Sequence, residues 1–222
     1  MRKTEFANGE YYHIYNRGVD KREVFLSEKD YIRFLETIRF VNNQKTHFGL
    51  SDYKKRNNIR PLGSELSDPK GQVGQTNNLV DLVCYCLNPN HFHFILKQKA
   101  ENGISFFMGK LGNSYTKYFN IKNSRSGSLF QGPFKSIHID SNEYLLLLSA
   151  YVNANHEIHG FLEKDWPYSS FLDYTGKRDG KLCNKEIILG QFDNDFSEYE
   201  KYIKDNADYF REKKELEEYI LE

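Results

Sequence analysis

The stretch LVDLVCYCLNPNHFHFILKQ, residues 79–98, decides the fold of this chain. Its first part, 79–87, is a continuous apolar run of the kind that forms a central, fully buried strand. The Asn-Pro-Asn tripeptide at 88–90 has turn chemistry, and HFHFILKQ, residues 91–98, has the composition of a second strand. We therefore predict a β-hairpin near the middle of the sequence.

Two further strands are predicted far from this hairpin. YYHIYNR, residues 11–17, alternates aromatic and β-branched residues and stops at Gly18. PFKSIHI, residues 133–139, has a similar strand-like composition. Together with the hairpin, these segments give four strands.

Helices are predicted between and after these strands. The first follows a capping-box sequence at 27–30 and continues to Val41, with apolar residues at helical intervals. The second covers 104–120, and the third runs from cap chemistry at Asp140 to about His156. The order βαββαβ, followed by a helix, predicts an α+β fold of the ferredoxin-like (RRM-like) type: an antiparallel sheet with helices packed on one face.

The chain of 222 residues predicts one main domain, 1–175, and a C-terminal extension, 176–222. A segment from about 49 to 78 is polar and poor in apolar residues, which indicates an insertion that adds nothing to the core. The extension is acidic and mostly helical in pattern. Three roles stay open for it: an autoinhibitory mimic of DNA, a helix that forms a homodimer, or a solvated appendage.

Composition and the N-terminal sequence predict where in the cell the protein is found. No uninterrupted apolar run approaches the roughly 20 residues that cross a bilayer, so we expect no membrane span. The basic N-terminus lacks the apolar run of a secretory signal, and the expected location is cytoplasmic.

Charge is balanced overall but unevenly distributed. Lys plus Arg and Asp plus Glu each number 31, yet no acidic residue lies between Glu101 and Asp140. This interval predicts a local basic surface for DNA, although an ordinary solvated face is the alternative for each residue. The basic residues concerned are Lys110, Lys117, Lys122, Arg125 and Lys135.

Two histidines in the second hairpin strand are the first candidates for chemistry. His91 and His93 are two residues apart, so their imidazoles project from one face of a strand and could chelate a divalent cation. The alternative is that both are merely solvated. Because Ile95 occupies the next alternate position, a histidine-triad nucleotide hydrolase is disfavoured.

A phenol and an amide in the third helix form a second candidate pair. Tyr151 and Asn155 are four residues apart, which places them one helical turn apart on the same face. The alternative is a core stripe, since Tyr144, Leu148 and Val152 share the periodicity.

An ordered set of sequence blocks resembles a known family. The blocks are CLNPNHFHFIL, SYTKYFN, GSLFQGPFKS, EYLLLLSAYVNANHEIHGF and DWPYSSF. In this order they resemble the REP-associated tyrosine transposases and their insertion-sequence relatives, the single-tyrosine HUH transposases, over residues 10–175 or so. The resemblance implies metal-dependent cleavage and strand transfer of single-stranded, hairpin-forming DNA through a 5′-phosphotyrosine intermediate.

The resemblance also assigns roles to individual residues. His91 and His93 match the HUH pair, which in the family holds Mg²⁺ or Mn²⁺ against the scissile phosphate. Tyr151 matches the nucleophile, and Asn155 matches the position of a third protein ligand. Tyr115 and Tyr118 are interpreted as packing or DNA-contact residues, because SYTKYFN lies on the earlier helix.

Two positions depart from the family pattern. Pro133 stands where relatives often have an arginine, which removes a phosphate contact. His156 stands where relatives often have a proline, which puts another potential ligand near the metal. The alternative function is a non-catalytic nucleic-acid-binding module derived from a transposase, or an RNA-recognition sheet, although no RNP motif is present.

Overall fold

The computed structural model describes residues 5–46, 50, 77–161 and 165–220, with side chains as far as 212. The predicted insertion, about 49–78, therefore lies almost entirely outside the described residues.

Four antiparallel strands form a single sheet in the described part of the chain, in the order β2-β3-β1-β4. This order is that of a ferredoxin-like fold, and the predicted fold class is confirmed. The strands are β1 (Tyr11–Arg17), β2 (Val80–Asn88), β3 (His91–Gln98) and β4 (Lys135–Ile139).

Helices connect and follow the strands, and no helix among the described residues combines the length and apolarity needed to cross a membrane. The predicted third helix, 140–156, is interrupted at Ala154 and becomes two helices. The helices are α1 (Glu28–Val41), α2 (Gly103–Lys122), α3 (Asn142–Asn153), α4 (Asn155–Ile158), α5 (Phe171–Tyr174), α6 (Glu186–Leu189) and α7 (Phe196–Ile220).

The two predicted helix starts differ in how they are capped. At α3 the hydroxyl of Ser141 accepts a hydrogen bond from the Tyr144 backbone N–H at 3.2 Å, as an N-cap should. At α1 the Ser27 side chain does not cap the helix. Its hydroxyl donates to the carboxylate of Asp30 at 3.0 Å, and the Leu26 N–H donates to the same carboxylate at 3.0 Å. Asp30 thus accepts from the N–H of the residue before the N-cap and from the Ser27 hydroxyl, and neither bond of the predicted capping box is formed.

The two faces of the sheet differ in their side chains, and different helices cover them. Phe92 and Phe94 of β3 contact Phe34 of α1, with ring centroids 5.5 and 6.3 Å apart. Helices α1 and α2 pack together on this face, as predicted. The opposite face, which carries His91 and His93, is the histidine face. Helix α3 packs on the histidine face, because the chain after β4 continues on that side of the sheet. Helices therefore cover both faces of the sheet, whereas the sequence predicted helices on one face.

The apolar run predicted as a central strand is instead the edge strand β2. Its apolar character is explained by the segment before and at the start of α5, which covers the open edge. The Leu87 N–H donates to Tyr168 O at 2.9 Å, and the Ser170 N–H donates to Tyr85 O at 2.8 Å. This pairing shields an edge that would otherwise be exposed.

Helix α7 joins the main core instead of extending into solvent over its described first half. Tyr199, Ile203 and Ala207 are buried within the same apolar cluster as the sheet. The Tyr199 hydroxyl donates to Ser149 Oγ of α3 at 2.7 Å. The C-terminal extension therefore supports the helix that carries Tyr151.

Replacing a core phenylalanine tests this packing. Phe94 is fully buried, so Phe94→Ala is expected to lower the free energy of unfolding by about 3–5 kcal/mol in urea titrations. Phe106 on α2 is 55% exposed, and Phe106→Ala is the matched control, with an expected change within about 0.5 kcal/mol. Equal losses for the two variants would contradict the assigned core.

Candidate active site

The two histidines of β3 lie side by side on the histidine face, as their spacing predicts. Their ring centroids are 5.2 Å apart and the rings are nearly perpendicular. In the pairing with β1, His91 lies opposite Arg17 and His93 opposite Tyr15. The central strand therefore supplies a cation and an aromatic ring beside the pair.

Each imidazole is oriented through its Nδ1 atom. His91 Nδ1 lies 2.5 Å from Asn90 Oδ1, and because a carboxamide oxygen only accepts, Nδ1 carries the proton. His93 Nδ1 lies 2.9 Å from Nε2 of His13. When His93 donates in this pair, both ligand candidates present the lone pair of Nε2. Histidines that bind metals are commonly held in this way.

Burial favours the neutral form of the His13 and His93 imidazoles. It lowers the pKa of His13 to about 4, so that this ring can accept a hydrogen bond at neutral pH. The pKa of His93 is also lowered well below its ordinary value, first by burial and then by the neighbouring imidazoles and Arg17. A neutral imidazole is the form that binds a metal.

The amide of Asn155 completes a group of donors. Its Oδ1 lies 3.2 Å from His91 Nε2, and both atoms contact the Nδ2 group of Asn88, at 2.6 and 2.9 Å respectively. The lone pairs of His91 Nε2 and Asn155 Oδ1 therefore both point at the Nδ2 group of Asn88. No cluster of three His, Cys, Asp or Glu that could hold a metal occurs among the residues described. A set of two imidazole nitrogens and one amide oxygen nevertheless fits a divalent cation.

Tyr151 lies beside this donor group. Its half-buried ring contacts His93 edge-on at 5.5 Å between centroids and His13 at 6.1 Å. On its other side the ring of Phe210, from α7, lies at 5.0 Å. The structure thus brings together all four residues predicted for metal binding and catalysis.

The two other tyrosines weighed for catalysis lie behind the sheet. The Tyr115 hydroxyl donates to Val24 O at 2.6 Å, and the Tyr118 hydroxyl donates to Asp30 Oδ1 at 2.9 Å. Burial raises the pKa of both phenols above the ordinary value. Both act in packing α2 against α1, which agrees with their interpretation as packing residues.

The predicted basic residues do not gather around the site. Lys135 is exposed on the histidine face, with Nζ 5.8 Å from the centre of the Tyr15 ring. Lys110 and Lys117 lie on α2, across the sheet. Lys122 binds the carboxylate of Asp30 at 2.7 Å. Arg125, just beyond α2, donates to Asn120 Oδ1 at 2.6 Å.

Sequence reasoning missed several residues at the site. The alternation of YYHIYNR places four side chains of β1 on the histidine face, and the order of strands puts the last three of them beside His91 and His93. His159 is a further addition, because its ring lies 4.7 Å from that of His91. The missed residues are His13, Tyr15, Arg17, Asn88 and His159.

The potential extra ligand at 156 is not part of the group. His156 is buried, and its ring stacks at 6.3 Å on Trp166 and contacts Phe171 at 6.1 Å. Burial lowers the pKa of His156. The prediction that it lies near the metal ligands is wrong, because the helical turn that aims Asn155 at the sheet directs its neighbour into the aromatic core.

Known proteins match this chain in sequence and in fold. The family model described as "Transposase IS200 like" matches residues 72–155, which include His91, His93, Tyr151 and Asn155. The resemblance to these transposases is confirmed. No curated protein matches the chain. A solved structure of a REP-associated tyrosine transposase bound to a REP hairpin has 15% sequence identity and a TM-score of 0.50, covering 80% of this chain and 86% of that chain. At this identity the likeness concerns the fold.

The pairing of Lys122 gives a test of its role. Asp30 is fully buried, so Lys122→Met removes its charged partner and is expected to lower the free energy of unfolding by about 1–3 kcal/mol. Lys135→Met, at an exposed position, is the control and should change stability by less than about 0.5 kcal/mol. Urea unfolding that finds both variants as stable as the wild type would contradict the structural role of Lys122.

Proposed function

We propose that the protein cleaves and rejoins single-stranded DNA by a divalent-metal-dependent reaction in which Tyr151 is the nucleophile. Mg²⁺ or Mn²⁺ would be held by His91, His93 and Asn155. The observation that supports this proposal is the position of the Tyr151 ring, in contact with His93 on the face that carries His91 and Asn155 as neighbours. Across the sheet, Tyr115 and Tyr118 have no such donors beside them in the part of the chain that the structure describes.

The chemistry follows from a phenol beside a cation site. The bound cation would neutralise phosphate oxygens and stabilise the charge that develops on them. Tyr151 Oη forms a bond to phosphorus while the bond from phosphorus to the 3′ oxygen breaks. The phenol, with an ordinary pKa of about 10, gives up its proton, and the departing 3′ oxygen takes one up. A 5′-phosphotyrosine and a 3′-hydroxyl result.

Rejoining needs no external energy source. Attack of a 3′-hydroxyl on the phosphotyrosine forms a new phosphodiester and releases the phenol, so one ester is exchanged for another. His13 and Asn90 take part only by holding the imidazoles in orientation. Positioning of this kind supplies a large part of the rate in phosphoryl transfer.

The proposed substrate is DNA with a hairpin. The solved structure with a similar fold holds a REP hairpin, and the histidine face offers groups that suit a DNA strand. Arg17 and Lys135 can contact phosphates, and Tyr15 offers a ring on which a base can stack. These residues lie along β1 and β4, next to the proposed cation site.

Covalent capture tests the nucleophile. Tyr151→Phe removes one oxygen and keeps the ring packed between His93 and Phe210, so it should fold and bind hairpin DNA but form no adduct on a denaturing gel with Mn²⁺. Tyr118→Phe is the matched control and should still form the adduct. An adduct at the wild-type rate in Tyr151→Phe would contradict the assignment. Binding without any adduct in the wild type would favour the non-catalytic module.

Salt dependence tests the DNA surface. Affinity for a single-stranded hairpin should fall linearly in a plot of log K against log salt, because bound phosphates release counterions. Lys135→Met should reduce the slope by about 0.7, the value for one contact with single-stranded DNA. Lys110→Met, across the sheet, should keep the wild-type slope. The reverse pattern in fluorescence anisotropy titrations would place the DNA on the α2 side.

A further inference from the structure

Asn88 occupies the point on which two proposed cation ligands converge. It is the last residue of β2, is fully buried and lies opposite His91 in the strand pairing. Its Nδ2 group is 2.9 Å from His91 Nε2 and 2.6 Å from Asn155 Oδ1. An N–H group with its partial positive charge thus fills the place that suits a cation.

The Oδ1 atom of the Asn88 side chain accepts a weak hydrogen bond. Asn88 Oδ1 accepts a bond only from the thiol of Cys86 among the described residues, at 3.6 Å, and a thiol is a weak donor. The nitrogen, in contrast, makes both strong contacts. A half-turn about the Cβ–Cγ bond would exchange oxygen and nitrogen. It would break the weak thiol contact and both bonds from Nδ2, whose two acceptors a bound cation would then take.

The orientation of Asn155 also depends on Asn88. Within the described part of the chain, the buried Nδ2 atom of Asn155 has no hydrogen-bond partner. Its Oδ1 is fixed by the bond from Asn88 Nδ2 at 2.6 Å. Asn88 therefore fixes the position of the Asn155 amide next to His91.

We propose that Asn88 is a further protein ligand of the cation site, and that its amide turns when the cation binds. In the arrangement described, the nitrogen holds His91 and Asn155 together. A cation that takes both lone pairs would repel this N–H group, and the turned amide would offer Oδ1 in its place. The inference rests on the proposed function, which supplies the cation.

Two substitutions separate a ligand from a structural residue. Asn88→Asp keeps the size and gives two oxygens with a negative charge, so the Kd for Mn²⁺ should fall roughly fivefold or more. Without metal, its carboxylate faces the lone pairs of His91 and Asn155, and this variant should be less stable than the wild type. Asn88→Leu keeps the branching and the number of side-chain heavy atoms but has no donor atom, so the Kd should rise about tenfold or more.

The experiment measures Mn²⁺ binding by calorimetry and thermal unfolding with Mn²⁺ or with EDTA. The rise in Tm caused by Mn²⁺ should decrease in the order Asn88→Asp, wild type, Asn88→Leu. Asn16→Asp is the control for added charge, since Asn16 lies on the opposite face of the sheet, and its Kd should equal that of the wild type.

The outcomes distinguish this inference from the function on which it rests. If the wild type binds Mn²⁺ and both Asn88 variants share its Kd and its rise in Tm, Asn88 is structural only and the inference is wrong. A tighter complex in Asn88→Leu would also overturn it, because Asn88 would then be only a competitor for the donors. If the wild type binds no Mn²⁺, the metal dependence of the proposed function fails, and the inference fails with it.

Discussion

Alternation of side chains across the paired strands β1 and β3 is the constraint on which the rest of the structure depends. Because successive residues point to opposite faces, HFHF places two phenylalanines in the core and two histidines on the other side of the sheet. The core rings are held by Phe34 of α1. A slip by one residue would bury the histidines among aromatic rings and expose the phenylalanines. Fold stability and the proposed chemistry therefore require the same register.

The proposed site also requires that the helices after β4 place their side chains on the histidine face. Helix α3 ends one residue before Ala154, and the short helix α4 begins at Asn155, whose amide meets His91. Helix α7 supports both helices. Phe210 packs on Tyr151, and Arg211 binds the carboxylate of Glu157 in α4 at 2.9 Å. The acidic extension thus contributes to the position of the proposed nucleophile.

The local sequence pattern was enough to predict the four strands, helices α1 and α2, and the shared sheet face of His91 and His93. Family resemblance favoured Tyr151 as the nucleophile over Tyr115 and Tyr118 of α2. The contribution of β1 was missed, although the ferredoxin-like order of strands already places β1 between β3 and β4. Once that order is known, the alternation of YYHIYNR places His13 and Arg17 at the site.

Charge patterning was a poorer guide, because it ignores partners distant in sequence. Lys122 lies in an interval without acidic residues, yet it binds the fully buried Asp30, which comes from α1. The apolar run of β2 was misleading for the same reason. It predicted a central strand, but β2 is an edge strand whose open edge is covered by Tyr168 and its neighbours. Both errors concern contacts between segments that only the fold brings together.

The most direct test of this account is pulsed electron paramagnetic resonance of the Mn²⁺-loaded protein labelled with ¹⁵N-histidine. Two imidazoles that share a face and hold one cation should give nitrogen couplings from two histidines. His93→Gln should leave one of them, while His138→Gln, at an exposed position on β4, should leave both. A spectrum of bound Mn²⁺ without histidine nitrogen couplings would contradict the claim that the alternation of β3 builds a metal site.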